Sequence, residues 1–345
     1  MKILSIDTSC DETAVAITEG LKVLSRETYS QILLHEKWGG VVPDLSKRAH
    51  EEHIDEVVSN TLKKAKTNLK DVDYIAVTYG PGLAIALGVG INKAKELSLM
   101  YDKPLIAVNH MEGHVYSCFV QNSEGNPHRE FIFPYLAFLV SGGHTELVLF
   151  SDHCSYKILG ETLDDAAGEA IDKATRLILD AHVYPGGPIL ERLAEGGDSD
   201  FLRLPRPMAH SDNLNFSYSG LKTSLFYTLK KHDHGWRETH ISDLAASFQE
   251  AVFESLTIKL QRAMKQYQIN RVIVGGGVSV NKLLRKKIRT LVAEEKGEVY
   301  FPPYTYLNGD NAAMIGVAAY FKAEKGLIVK DIHMMERSAR ARIDE

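Results

Sequence analysis

Two histidines four residues apart are the first residues in this chain whose types and spacing fit a chemical role. His110 and His114 lie in "NHMEGH", directly after the apolar run "PLIAVN". Residues at positions i and i+4 share one face of a helix, so both imidazoles can reach the same metal ion. Such pairs also arise by chance, and two histidines with purely structural contacts are the alternative.

A metal site built on this pair needs a third ligand from elsewhere in the chain. The best candidate is Asp310 in "NGDNAAMIG", at the predicted start of the last helix. A carboxylate at that position can instead cap the free N–H groups of the helix. The sequence therefore predicts a site of His110, His114 and Asp310, with capping by Asp310 left open.

A zinc peptidase motif would place a glutamate directly after the first histidine, as in H-E-x-x-H. Met111 occupies that position here, and Glu112 follows it. Two residues rotate a helical side chain by about 200°, so Glu112 is expected to face away from the metal. Peptidase chemistry is therefore disfavoured.

Three short turns have residues suited to holding an anion, because glycine and small residues let backbone N–H groups approach phosphate. They are "DTSCDET" (7–13), "VSGGHT" (140–145) and "GGGVSVN" (275–281). Any one of them more often simply makes a tight turn. Together they resemble the acetate kinase, Hsp70 and actin superfamily, in which a nucleotide lies between two lobes.

The elements that must position these residues form two similar halves. "KILSIDTSCDETAVAI" and "YLAFLVSGGHTELVLF" each consist of an apolar run, a polar turn and a second apolar run. Helical periodicity follows in both halves. We therefore expect a duplicated two-lobe α/β fold with a nucleotide cleft between the lobes. The predicted parts are an N-terminal lobe (1–125), a C-terminal lobe (126–330) with an irregular insertion at about 184–240, and a tail (331–345).

Composition limits the classes of protein and partner. With 345 residues, 44% of them hydrophobic and 25% charged, two lobes are expected. No apolar run is long enough to span a membrane. Three widely spaced cysteines indicate a reducing, cytoplasmic setting. Because the net charge is −5, a nucleic acid would have to bind a local basic patch, such as the one at 285–289.

Ten ordered motifs between residue 3 and about residue 320 resemble one family more specifically. They are similar to those of the bacterial tRNA N6-adenosine threonylcarbamoyltransferases, once labelled O-sialoglycoprotein endopeptidases. The motifs are "DTSCDETAVAI", "GGVVPDLSKRAHEEH", "YGPGLAIALGVG", "NHMEGH", "LVSGGHTEL", "DDAAGEAIDK", "YPGGP", "FSYSGLKT", "GGGVSVNKLLR" and "NGDNAAMIG".

The resemblance implies a reaction and its participants. The family transfers a threonylcarbamoyl group from threonylcarbamoyl-AMP to N6 of adenosine 37 in tRNAs that read codons beginning with A, and AMP is released. It implies one divalent metal per chain, with iron(II) favoured over zinc, on His110, His114 and Asp310. It also implies two partner subunits, a paralogue of similar fold and an ATPase.

The resemblance also implies a substrate site. Its residues would be Leu139, Val140, Ser141, Gly142, Gly143, Asp172, Gly187 and Asn281. Asp11 and Glu12 lie in the first turn, and we expect one of them to orient the donor or to accept the proton from N6. In "FSYSGLKT" we expect Ser219 to cap a helix, whereas the role of Lys222 stays open.

Three other functions compete with this one. A small-molecule kinase or ATPase of the same fold would explain the phosphate turns but not the histidine pair, because Mg²⁺ prefers water and carboxylates to imidazole. A metallopeptidase requires a differently placed glutamate. A nucleotide-gated scaffold would need neither histidine for its function.

Overall fold

A computed structural model describes all 345 residues and contains ten β-strands and eleven α-helices. The strands are β1 (Lys2–Asp7), β2 (Glu12–Glu19), β3 (Lys22–Ser30), β4 (Tyr74–Gly80), β5 (Leu105–Asn109), β6 (Tyr135–Val140), β7 (Thr145–Asp152), β8 (Ser155–Glu161), β9 (Arg271–Gly275) and β10 (Glu298–Tyr300). The helices are α1 (Ile32–Glu36), α2 (Pro43–Ala65), α3 (Ala84–Tyr101), α4 (His110–Tyr116), α5 (Ala167–Leu179), α6 (Gly186–Leu193), α7 (Ser219–Lys230), α8 (His234–Thr239), α9 (Ile241–Tyr267), α10 (Lys282–Glu294) and α11 (Ala312–Glu324).

The strands form two five-stranded sheets with the same topology. The first has the order β3-β2-β1-β4-β5, and the second has the equivalent order β8-β7-β6-β9-β10. In each sheet the first three strands are antiparallel neighbours, and the last two run parallel to the first strand. The duplicated two-lobe architecture predicted from the sequence is therefore confirmed.

Both sheets are covered on both faces, which explains why their central strands are apolar almost throughout. In β1, Leu4 and Ile6 pack on the outer helices α2 and α3. Ile3 faces the other way, into a core that both lobes share. β6 divides in the same manner, with Phe138 facing the outer helices of its lobe and Leu139 facing the shared core.

Two helices, α4 and α11, lie in the junction between the sheets. α11 follows the second sheet in the chain but packs on the first, where the Ser5 hydroxyl donates to the Ala312 carbonyl at 2.6 Å. Gly316 permits this approach, because a Cβ there would lie 2.6 Å from Thr18 Oγ1. α4 connects to the second sheet, since His114 O would lie 2.7 Å from a Cβ at Gly275.

The remaining segments attach to this framework. Three helices, α6 to α8, lie within the segment that was expected to be irregular. Residues 331–345 form no helix or strand, but the Ser338 N–H donates to the Tyr79 carbonyl at 2.8 Å, and Arg342 pairs with Glu161 of the second lobe at 3.1 Å. The domain bounds stay a prediction.

None of the helices combines the length and the apolar character that a membrane span requires.

Candidate active site and metal centre

The predicted metal ligands meet in the junction between the lobes. Asn109 caps α4, accepting from the Met111 N–H at 2.9 Å, so the histidine pair begins at the carboxyl end of β5. His110 Nε2 lies 3.2 Å from Asp310 Oδ1, and His114 Nε2 lies 3.8 Å from the same oxygen. One ligand atom from each residue falls within 4.8 Å of the others.

Asp310 does not cap the last helix. Asn311 does so instead, accepting from the Met314 N–H at 2.9 Å. The Asp310 carboxylate is thereby left for the histidines, with 26% of its side chain exposed. The capping alternative for Asp310 is wrong, and the exposed edge of its carboxylate gives a ligand access to the cluster.

The cluster of His110, His114 and Asp310 has the ligand types that a divalent cation needs, and some of its buried polar atoms lack a hydrogen-bond partner. Both ring nitrogens of His114 are buried without a hydrogen-bond partner. Burial and the charge of His110 lower the pKa of His114 to about 3, which keeps its ring neutral as a ligand must be. Burial opposes protonation of His110, yet the charges of Asp310 and Asp7 raise its pKa to about 10. Two imidazoles and a carboxylate are a common ligand set for zinc and iron(II).

Asp7 is a neighbour of this cluster that the sequence reasoning did not select. Its Oδ2 is buried without a hydrogen bond and lies 3.5 Å from His110 Nδ1, the nitrogen turned away from Asp310. A carboxylate in this position fixes the ring and the tautomer of a metal-binding histidine. Its place at the carboxyl end of the central strand β1, where sites in such sheets gather, was the available signal.

Asp11 and Glu12 lie at the start of β2, in the same acidic region. The Tyr184 hydroxyl donates to Asp11 Oδ2 at 3.1 Å, which joins the first turn to the second lobe. Burial and the charge of Asp310 raise the pKa of Asp11. Burial, together with the charges of Asp310, Asp11 and Asp7, raises the pKa of Glu12 to about 8. A cation in this region would offset the repulsion between these carboxylates.

The second turn, residues 140–145, can contact a ligand through its backbone but hardly through its side chains. Gly142 and Gly143 are exposed, and a Cβ on either would meet no atom within 4 Å. Ser141 closes the turn by accepting the His144 N–H on its hydroxyl at 3.0 Å. Leu139 and Val140 are fully buried, and their side chains belong to the core, so a ligand could contact only their backbone. His144 borders the cluster, and burial and the charge of His110 lower its pKa to about 4.

Asp172 and Gly187 are joined by direct hydrogen bonds. Asp172 Oδ1 accepts from the N–H groups of Gly186 at 2.8 Å and Gly187 at 3.1 Å, at the start of α6. Its second oxygen has no partner within the chain and is available to a ligand. Asp172 therefore fixes the "YPGGP" loop with one oxygen while offering the other.

Asn281 has a structural role that the sequence reasoning did not assign. Its Oδ1 caps α10, accepting from Leu283 N at 3.0 Å and Leu284 N at 3.1 Å. Its Nδ2 donates to Gln249 Oε1 at 2.8 Å. One side-chain N–H is thus all that Asn281 has left for a substrate.

Direct contacts join the late glycine loop, residues 275–281, and the start of α5 to the second turn. A Cβ at Gly276 would lie 2.4 Å from Val140 O, so the late glycine loop touches the second turn. A Cβ at Gly168 would lie 2.6 Å from Ser141 O, so α5 begins directly against that turn. Asn308, two residues before Asp310, binds Arg285 Nη2 at 2.8 Å.

Comparison with known proteins identifies the family. The model of the TsaD family, tRNA N6-adenosine threonylcarbamoyltransferase, matches residues 22–317. The enzyme of that name from Kosmotoga olearia is 45% identical over 327 residues, which is 95% of each chain. The Bacillus subtilis enzyme is 43% identical and covers 95% of this chain and 92% of its own. The chain belongs to the TsaD family. It is therefore an enzyme, and its class is acyltransferase.

Solved structures resemble this TsaD family member in fold. Full-length HypF, crystallised in a phosphate- and nucleotide-bound form, superposes with a TM-score of 0.63 at 14% identity over 94% of this chain. The match spans 55% of the HypF chain. Component A of Acidaminococcus fermentans (R)-2-hydroxyglutaryl-CoA dehydratase superposes with a TM-score of 0.53 at 14% identity. At this identity the two matches show a shared fold and nothing about function.

Glu112 excludes the peptidase alternative for this family member. Its Oε1 accepts the Tyr156 hydroxyl at 3.0 Å, and its Oε2 pairs with Lys322 at 3.2 Å on the side of α4 opposite the histidines. The orientation predicted from the helical period is confirmed.

The "FSYSGLKT" segment differs from expectation. Tyr218, not Ser219, occupies the cap position of α7, and the Ser219 hydroxyl donates to Asp164 at 2.8 Å. The prediction that Ser219 caps α7 is wrong, because its hydroxyl is hydrogen-bonded to Asp164 and not to a backbone N–H of the helix. Lys222 pairs with Asp165 at 2.7 Å, which joins α7 to the segment directly before α5.

Proposed function

We propose that this chain forms threonylcarbamoyl-adenosine at position 37 of tRNAs that read codons beginning with A. The donor is threonylcarbamoyl-AMP, and AMP leaves. The observation that carries the proposal is the cluster of His110, His114 and Asp310 at the junction of the lobes, near enough to Asp11 of the first turn and His144 of the second turn for their charges to interact. The chain's membership of the TsaD family supports this reading of the cleft.

The reaction needs little covalent help from the protein, because the donor is an activated mixed anhydride. N6 of adenosine attacks the carbamoyl carbon, the bond from that carbon to the phosphate oxygen breaks, and N6 loses a proton. The main tasks are to position N6 and to stabilise charge on the departing phosphate. Gly142 and Gly143 are exposed residues, and their N–H groups can donate to that phosphate.

The remaining predicted residues hold the nucleoside and remove the proton. The free Asp172 oxygen can accept from a ribose hydroxyl, the free N–H of Asn281 can donate to adenine, and Gly187 forms part of the same wall. Asp11 or Glu12 receives the proton from N6. The Glu12 carboxylate makes no hydrogen bond within the chain, so its oxygens are free to accept that proton.

One divalent metal, iron(II) or zinc, would be held by His110, His114 and Asp310. When bound, it supplies a Lewis acid for an anionic oxygen of the donor. Further subunits belong to the proposal: a paralogue of similar fold and an ATPase. We expect the reaction to take place in the cytoplasm, where tRNA is available.

The test is reconstitution of the whole reaction. The chain, its two partner subunits, threonylcarbamoyl-AMP and an unmodified tRNA are incubated, and nucleosides are measured by mass spectrometry. We expect threonylcarbamoyl-adenosine with the unaltered chain and a loss of at least about 100-fold with His110→Ala or His114→Ala, the scale of losing a charge-stabilising group. Absence of product, with all subunits shown to associate, would contradict the proposal.

A further inference from the structure

An exposed tryptophan lies beside the cleft. Trp38 belongs to a segment that we call the flap, residues 31–42, which connects β3 to α2. It is one of two tryptophans in the chain, and 57% of it is exposed. Tryptophan is on average among the more buried residues, because its large apolar surface is stabilised by removal from water. An indole left in solvent beside an active site is therefore suited to contact a ligand.

The base of the flap is fixed to the first turn. The Gln31 N–H donates to the Asp11 carbonyl at 2.9 Å. The buried His35 ring is hydrogen-bonded to Gln31 Oε1 at 3.1 Å and accepts the Val42 N–H at 3.3 Å. Trp38 thus extends from an anchored segment, so little ordering entropy would be lost when it binds a partner.

The tip of the flap touches the second lobe at the rim of the substrate site. The Arg176 guanidinium donates to the Gly39 carbonyl, and Arg176 lies one helical turn after Asp172. Gly39 has φ of +65°, and a Cβ there would lie 3.3 Å from His182 Nδ1, so both its backbone conformation and its surroundings favour glycine. Trp38, the preceding residue, is therefore at the mouth of the interlobe cleft.

We propose that the Trp38 indole is a stacking platform for an unpaired tRNA base next to the target adenosine. The inference rests on the proposed function. An adenosine that reacts at N6 must leave its stack to enter the cleft, and an aromatic side chain can replace the stacking that its neighbour loses. Lys37 is exposed, and its ammonium lies 5.6 Å from the indole centroid, where it can also attract a phosphate.

A protein subunit is the other conceivable occupant, because Leu33 is 81% exposed on the same flap. The structure favours RNA, since Trp38 and Lys37 combine a stacking surface with a positive charge at the place where the RNA substrate must enter. A protein contact would make the association of the subunits, and not the binding of RNA, depend on Trp38.

The experiment compares Trp38→Ala, Trp38→Tyr and Tyr227→Ala in the reconstituted complex. Tyr227 is the matched control, an aromatic residue that is also 57% exposed but lies on α7. We expect Trp38→Ala to raise the Kd and the KM for unmodified tRNA about 5- to 100-fold, the range for losing one base–aromatic stack. The KM for the donor and kcat at saturating tRNA should stay within about twofold. Trp38→Tyr should restore most of the affinity, and Tyr227→Ala should change neither constant.

Fluorescence gives a second readout in the isolated chain. In a Trp236→Phe background Trp38 is the sole tryptophan, and an anticodon stem–loop RNA should quench it, whereas the stem closed as a duplex should not. Unchanged tRNA affinity in Trp38→Ala, or a loss of subunit association alone, would overturn the proposal. A complex that binds tRNA through Trp38 but forms no modified nucleoside would instead contradict the proposed function.

Discussion

At the scale of single residues, the site depends on polar atoms that the protein buries without partners. His114 has two unpartnered ring nitrogens, and Asp7 has an unpartnered carboxylate oxygen that faces His110. Burying such groups unpaired costs free energy, so a native chain retains them where a ligand completes their contacts.

The first prediction concerns Asp7→Asn. The amide preserves size but removes the charge that holds the His110 ring, so metal affinity should fall about 10- to 100-fold. Competition with a coloured chelator measures this affinity independently of catalysis. Asp73→Asn, which changes an exposed aspartate that binds the N-terminal region, is the control and should leave affinity unchanged. Equal affinity in the two variants would exclude a role for Asp7.

The second prediction separates Glu112 from catalysis. Glu112→Gln should keep the metal and the transferase activity, because the carboxylate binds Lys322 and Tyr156 on the far side of α4. It should lower the free energy of unfolding by about 1 to 3 kcal/mol, since a buried charged contact is weakened. Denaturant unfolding measures the stability loss. Normal stability combined with lost transferase activity would show instead that Glu112 takes part in catalysis.

At the scale of elements, the cleft is made where strand ends, turns and helix starts come close. α5 begins against the second turn because Gly168 has no side chain, and its Ala167 N–H donates to Thr145 Oγ1 at 2.8 Å. The start of α5 thus supports the second turn on one side, while Gly142 and Gly143 stay open to a ligand.

The third prediction tests this support. Gly168→Ala would place a Cβ 2.6 Å from the Ser141 carbonyl, which must move the turn. We expect the KM for threonylcarbamoyl-AMP to rise at least about tenfold, with metal content unchanged, because small misplacements at a site are costly. Gly142→Ala is the comparison: its Cβ meets no atom, so it should retain full stability while also raising the donor KM. An unaltered donor KM in both would argue against this turn as the phosphate site.

At the scale of the whole molecule, the two lobes share one core. Residues from both sheets pack around α4 and α11. Two of the metal ligands, His110 and His114, lie in α4, and the third, Asp310, lies two residues before α11 begins. Binding at the junction therefore joins parts of the chain that are about 200 residues apart.

The fourth prediction follows from that arrangement. The chain should unfold in a single calorimetric transition, and removal of the metal by a chelator should lower Tm without separating the lobes. At a free metal concentration 100 times Kd, binding to the folded state alone adds about 2.7 kcal/mol to stability. Restoring zinc or iron(II) should restore Tm. Two resolved transitions would show that the lobes fold independently of the shared core.

The sequence by itself determined the local features and, through ordered motifs, the family. The repeated pattern of apolar run, polar turn and apolar run predicted two equivalent lobes, and the helical period placed Glu112 away from the histidines. These features depend on neighbours a few residues apart, so their physical causes can be read along the chain.

Only the tertiary structure decided which side chains are free for chemistry. Asp310 is available because Asn311 takes the cap, and Asn281 is mostly engaged because it caps α10 and binds Gln249. Asp7 matters because the first sheet brings the end of β1 within 3.5 Å of His110, which directly follows β5. Trp38 lies at the cleft because Arg176 of the other lobe binds the next residue. Each outcome depends on partners that are distant in sequence, or on competition between adjacent residues for one hydrogen bond. The local pattern of apolar and polar residues shows neither the distant partners nor the result of that competition.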